Sequence, residues 1–519
     1  MKKSTTPINA KRIAIAVAAV CASLSMPAVA NENKAMLDLM LKKGVITQKD
    51  YNDFMEANKE ADENKAFKDS RIDKDVSKSM TFILKRANDG AVKPSGFGYV
   101  SGDGKSEINL TGRMHLDTRI FDSPFSSAAP NDPDARNFGN QLDIRRARIG
   151  VNGKFLNDFN FEMVWNAVSA AEGASTTSSN IDTGWINYSA KREAQVRVGR
   201  YKNPFNLEDY ATSSNNIDFI ERSYVNQMAP GKRAGIMLHG IPSDGTAYAL
   251  SVFQDGHNQA SGSGNLQVAA RFATDLGKAV RWTDKFLHVG VAGTSGRYDS
   301  ANTATATVAG NSDLFPTIRS EHRGVNAFNA RMVTAAGASL STVSKSMLGG
   351  ELAYGEGPLK LQAEYAVANY NGRDNNEGQS ELSGNLVAGY VSAVYNLTGE
   401  NWYDSYKDGA FSSVKIKNNF DPSGSGMGAW QVGLRLSKYD ASNIQSSVGC
   451  AAATCLRGSN RGTTTTLGLT WFINPNARMM LNYSMTTFDQ QLASSFLSVG
   501  SGDLGNTEKV ATLRAQYNF

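Results

Sequence analysis

Cysteine is nearly missing from this chain, with only Cys21, Cys450 and Cys455 in 519 residues. Long apolar runs are missing too. After residue 30 no stretch holds the roughly 18 consecutive apolar residues that a spanning helix requires, and a mean hydropathy of −0.36 excludes a helical membrane bundle. If the chain crosses a membrane, it does so with strands. An excess of one charge is also lacking. The 54 basic and 49 acidic residues leave a formal charge of +5, too balanced for a nucleic-acid binder.

Chemistry-bearing motifs are equally scarce. The five histidines, His115, His239, His257, His288 and His322, show no metal spacing and none sits in a serine or cysteine nucleophile motif. Gly104-Lys105-Ser106 would need a glycine at position 99 to form a phosphate loop, and that residue is Tyr99. The pieces SGSGN and GSGMG lack the strand and helix of a dinucleotide fold and read as turns. No metal and no cofactor is expected, and no enzymatic activity.

What the chain does have is glycine, 48 against 13 prolines, with much serine, threonine, asparagine and tyrosine, a composition of many strands and turns. Its first 30 residues combine a basic start, an apolar run from Ile13 to Val20 and small residues at Ala28 and Ala30. They read as a secretory signal cleaved after Ala30. Val20 fills the position before Cys21 where a lipoprotein wants a small residue. The mature chain keeps Cys450 and Cys455, with four residues between them in a Gly, Ser and Asn-rich stretch of an exported protein. A small loop disulfide is the expectation there.

Residues 31–90 read as helix. Met36, Leu37, Met40 and Leu41 form one apolar stripe that Gly44 interrupts. Thr47 caps a second short helix with an apolar face of Tyr51, Phe54 and Met55. From Glu56 to Lys78 charges of both signs dominate, as in a solvated linker or a periplasmic coiled segment. Residues 91–105 join this segment to the rest.

From Ser106 the period changes from 3.6 to 2. In SEINLTGRMHLDTRIF, Ile108, Leu110, Met114, Leu116 and Ile120 face one way, and Arg113, His115, Asp117 and Arg119 face the other. Such a sheet needs a solvent on each side, lipid outside and water inside. The pattern recurs at Phe159 to Trp165, at Leu359 to Tyr365, at Trp430 to Leu436, and in the closing VATLRAQYNF. At about 25 residues for each strand with its loop, the span 106–519 gives about 16 strands of a transmembrane antiparallel β-barrel, wide enough to enclose water.

If the apolar parity faces lipid, the other parity places Arg113, Arg119, Arg146, Arg148, Arg197, Arg271, Arg435 and Arg514 in the lumen. Rings of such residues are a basis for anion-selective pores; alternatively, they pair with luminal carboxylates such as Asp117 and Glu162 and only stiffen the wall. The stretch from Tyr201 to Arg233 is too long for a turn and lacks alternation. It is expected to fold inward as a mixed-charge constriction that carries Lys202, Arg222, Lys232 and Arg233 beside Glu208, Asp209, Asp218 and Glu221.

The segments RRARIGVNGKF, GRYKNPFNLEDY, FIERS, APGKRAGIMLHG, GPLKLQAEY and LGLTWFINPNARMMLNY together resemble the phosphate-selective porins of the O and P type, from about Gly112 to Phe519. The resemblance implies an outer-membrane homotrimer of 16-stranded barrels among lipid and lipopolysaccharide. It also implies a ladder of luminal arginines that leads phosphate or a related small anion to a constriction, by motif position Arg146, Arg148, Lys202, Arg222, Lys232 and Arg233. The other readings are a general or sugar porin of weak selectivity, an outer-membrane hydrolase built on His115, and an envelope anchor built on residues 31–90.

Overall fold

The computed structural model describes residues 41–42, 47–48, 51–52, 97–101, 103–122, 140–168, 181–254, 265–299, 317–330, 342–373, 381–424, 426–446, 456–492 and 505–519. The expected signal segment and its cleavage after Ala30, most of the segment 31–90 expected to be helical, and the expected Cys450–Cys455 disulfide lie outside the described residues. The chain divides into two units, 1–84 and 85–519. In the first, Tyr51 donates its amide to the Thr47 carbonyl at 3.0 Å, one helical turn.

In the second unit the period-2 pattern becomes strands β1 (Glu107–Asp122), β2 (Gln141–Phe155), β3 (Phe159–Asn166), β4 (Ile181–Lys191), β5 (Ala194–Lys202), β6 (Lys232–Ser243), β7 (Thr246–Gln254) and β8 (Leu266–Asp275). They continue as β9 (Lys285–Asp299), β10 (Thr342–Glu356), β11 (Leu359–Arg373), β12 (Glu381–Asn396), β13 (Ala429–Asp440), β14 (Arg461–Asn474), β15 (Ala477–Phe488) and β16 (Thr507–Asn518). Each pairs antiparallel with the next, and β16 pairs back onto β1, from Arg113 opposite Asn518 to Asp122 opposite Lys509. The sheet is a closed barrel of 16 strands and has no free edge among its main strands.

Side-chain exposure follows the sequence pattern. On β1, Ile108, Met114 and Ile120 are exposed on the outer wall, while His115, Asp117 and Arg119 are buried inside. On β11, Leu361 and Tyr365 face out and Lys360, Gln362 and Glu364 face in. The terminal residue completes the seam: Gly112 and Phe519 exchange amide hydrogen bonds of 3.0 and 3.1 Å. A Cβ on Gly112 would lie 2.2 Å from the Phe519 ring, so that approach requires glycine.

Inside the barrel lies the chain between β5 and β6, residues 203–231, with one short helix α1 (Tyr224–Met228). Its tip is seated by two facing glycines. Gly433 and Gly468 are directly paired on β13 and β14, and a Cβ on either would come within 3.0 or 3.2 Å of the Phe219 ring. Two further segments pack on this chain. On one side, Thr317–Arg319, Asn326–Ala330 and Leu456–Gly458 form a small sheet, and its Ile318, Val325 and Phe328 join Tyr224, Val225 and Met228 in an apolar cluster with inward residues of β11 and β12. On the other, the connection after β12 forms a small hairpin, Tyr406–Lys407 against Ala410–Phe411. Its Trp402, Tyr406 and Phe411 pack with Leu207 and Phe219. These inserts fill the lumen beside β10–β13 and leave open space against β1–β6.

Candidate functional site

The open space is a cavity of about 540 Å³ between the inward chain and the wall formed by β1–β6. Eight basic residues line it, Arg113, Arg146, Arg148, Arg197, Arg200, Lys202, Arg222 and Lys232, against three carboxylates, Glu162, Asp182 and Asp209.

The carboxylates divide the cations into two groups. Asp182 pairs with Arg148 at 2.9 Å and with Lys232. Asp209 pairs with Arg222 at 2.9 Å and Lys202 at 3.2 Å. Burial pushes the Asp209 carboxyl up, but Arg222 and Lys202 against it prevail and hold it well below the usual carboxylate range. Three arginines have no carboxylate within ion-pair distance among the described residues. Arg113 donates to the Ser214 hydroxyl at 2.7 Å. Arg146 faces the His115 ring at 3.3 Å. Arg197 lies flat over the Trp185 ring, 4.0 Å from its centroid. The surplus positive charge therefore sits on β1, β2 and β5.

The remaining arginines of the expected ladder point inward but are spent on structure. Arg119 binds Asp117 at 2.6 Å and Asp143 at 2.7 Å. Arg271 forks onto Glu351 at 2.8 and 2.6 Å. Arg435 bridges Glu208 at 3.1 Å and Glu321 at 2.8 Å, tying two inserts to β13. Arg514 binds Asp117 at 2.6 Å and Glu221 at 3.2 Å. Of the four loop cations, Lys202, Arg222 and Lys232 line the cavity, whereas Arg233 is buried away from it with Nη1 on the Lys232 carbonyl. His115 contacts Arg146 and, at 3.4 Å, the Asn215 amide oxygen.

Strict alternation misses Arg145. The β1–β2 register shifts so that His115 opposes Arg146 while Leu116 opposes Ile144, leaving Arg145 as the extra residue of a bulge. Ile144 and Ile149 stay on the outer wall, yet Arg145 turns inward and forks onto Glu221 at 2.7 and 3.2 Å. An arginine left among lipid tails costs about 2–4 kcal/mol at the membrane midplane. The one available signal was a basic residue at a lipid-facing parity in LDIRRAR. Arg200 is a second cavity cation that alternation did not name; it follows Gly199, whose φ of 129° interrupts the regular strand.

A closed 16-stranded barrel with an outer apolar wall and a charged inner cavity defines a membrane channel of the porin class. The chain belongs to the phosphate-selective porin O and P family, whose model matches residues 108–519. It is an outer-membrane channel protein. No protein of curated function matches the sequence. Among solved structures it is similar to an anion-selective porin from Comamonas acidovorans, at 11% identity and a TM-score of 0.45, covering 80% of this chain and 100% of that one. It is also similar to the outer membrane channel DcaP of Acinetobacter baumannii, at 13% identity and 0.45, covering 81% and 99%. A third is in-vitro folded OmpT of Vibrio cholerae in its trimer form, at 10% and 0.45, covering 80% and 99%.

Proposed function

We propose that this porin is an anion-selective channel whose narrow point is the cavity between the inward 203–231 chain and β1–β6. The observation that carries the reading is the set of cavity arginines with no carboxylate partner among the described residues, Arg113, Arg146 and Arg197. Guanidinium groups stay charged at any physiological pH and present a planar donor fork to oxyanions. A surplus of fixed positive charge in a confined space raises the local anion concentration and repels cations. Arg148, Lys202, Arg222 and Lys232, each sharing a carboxylate, form the remainder of the path.

Phosphate is the anion the family points to, and related small anions share its chemistry. The protein acts as a homotrimer in the outer membrane, among lipid and lipopolysaccharide. It arrives there through a signal cleaved after Ala30, with residues 31–90 on the periplasmic side and Cys450 joined to Cys455.

The test is the reversal potential of purified protein in a planar bilayer under a chloride gradient, followed by phosphate titration of the chloride current. A strong anion preference with block by phosphate is expected; a cation preference sinks the reading. An anion preference without any phosphate effect leaves a weakly selective general porin. That is the second reading, favoured by the Asp182 and Asp209 ion pairs.

A further inference from the structure

The cavity holds more than charge. Trp185 projects into it from β4, an apolar ring on a water-facing wall where its strand neighbours Thr183 and Asn187 are polar. Its position is fixed from two sides. The indole Nε1 donates to Glu162 at 3.1 Å, and Glu162 also accepts the Thr183 hydroxyl at 2.7 Å. The Arg197 guanidinium lies over the ring at 4.0 Å. Among the described residues Arg197 has no hydrogen bond or ion pair, and its buried Nε lacks a partner. The stack is thus held in place by Glu162 while the hydrogen-bonding capacity of its cation is unspent. Tyr210 and Ala211 of the inward chain line the same cavity.

A cavity of about 540 Å³ falls in the range of sites that take small organic molecules, several times the volume of one inorganic oxyanion. We infer that this cavity also takes aromatic carboxylates: the ring stacks on the Trp185–Arg197 platform, and the carboxylate meets the guanidinium groups of Arg197 and Arg113, neither of which has a carboxylate partner among the described residues. A flat anion engages both features at once, the π-face through stacking and the planar donor fork through paired hydrogen bonds. Acetate engages only the fork. This inference rests on the anion-selective reading above and adds a substrate class to it.

The experiment measures block of the chloride current through the full-length protein in planar bilayers by benzoate and by acetate. Benzoate is expected to half-block at a concentration about three- to tenfold lower than acetate, the scale of one aromatic contact in a partly desolvated site. In Trp185→Ala the two anions are expected to block alike, and Trp185→Phe, which keeps a ring, is expected to retain most of the difference. Equal block by benzoate and acetate in the unaltered protein overturns the inference even where anion preference is intact, and so does a difference that survives Trp185→Ala. A cation preference in the reversal potential overturns the anion-selective reading and this inference with it. Where Trp185→Ala fails to assemble, Trp185→Leu, which keeps apolar bulk without a π-face, supplies the same contrast, and a benzoate preference that survives it overturns the inference.

Discussion

Arg514 on the last barrel strand forks onto Asp117 on the first, with Nε donating to Oδ1 at 2.6 Å and Nη2 to Oδ2 at 2.7 Å, across the seam that closes the barrel. Both side chains are fully buried. Removing one partner of such a pair leaves a charge without compensation, which costs about 3–5 kcal/mol. Asp117→Ala leaves the buried Arg514 with only Glu221, at 3.2 Å, as a carboxylate partner and also takes one of the two close partners from Arg119. The expected outcome is a barrel that unfolds at markedly lower temperature, followed by loss of β-sheet signal on heating in detergent. An unchanged melting temperature would show that the seam does not depend on this pair.

The inward chain hangs on a second carboxylate. Glu364 accepts the amides of Leu207 and Glu208, both at 2.9 Å, and the Tyr390 hydroxyl at 2.6 Å. Glu364→Ala leaves two buried amides without acceptors, at about 1–3 kcal/mol each. The chain is then expected to fluctuate within the lumen, seen as open-channel noise and flicker in single-channel recordings while the barrel still folds. Quiet currents of unchanged size would mean that the Phe219 slot and the Arg435 bridge suffice.

The barrel was legible because lipid and water impose opposite demands on alternate residues, as Leu361 against Lys360 and Gln362 shows. The same rule fails where the lumen is filled. Along β11 the inward residues change from Gln362 and Glu364 to Ala366, Ala368 and Tyr370, which pack in the apolar cluster with Tyr224 and Phe328. Alternation fades there because both faces of the strand are apolar. The inserts at 317–330 and after β12 have no period at all, since each is held by individual contacts such as the Gln227 amide on the Arg319 backbone, at 2.7 and 2.9 Å. That the arginines of the expected ladder share one parity of the strands was readable from the sequence. Which of them carry surplus charge was not, because the carboxylates that neutralise them come from distant parts of the chain, as Glu351 does for Arg271.

Asp209 gives a pH prediction. Its folded-state value is depressed, so its charge is fully present above the usual carboxylate range and is lost only as pH falls well below it. Asp209→Asn removes one of three carboxylates in the cavity and is expected to raise the anion preference. Since Asp209 does not titrate in between, the difference in reversal potential between Asp209→Asn and the unaltered protein is expected to be the same at about pH 7 and about pH 5. Convergence of the two proteins on acidification would place the Asp209 proton in that window and contradict the ion-pair geometry.

The two groups of arginines should separate when each loses its charge. Arg146 lines the cavity without a carboxylate partner among the described residues, whereas Arg271 is locked onto Glu351 with both partners buried. Arg146→Ala removes surplus charge and little structure, since among the described residues its guanidinium meets only the His115 ring, at 3.3 Å. Anion preference is expected to fall about twofold at low salt, and the loss should shrink as added salt screens the lumen. Arg271→Ala strands Glu351, which retains His288 at 3.0 Å, and is expected to lower thermal stability by about 3–5 kcal/mol. The buried Glu351 charge it uncovers lies outside the cavity, so selectivity should move less than in Arg146→Ala. Reversal potentials and melting temperatures of the two variants measured side by side check the division, and a larger selectivity loss in Arg271→Ala would place the conducting path on the opposite wall.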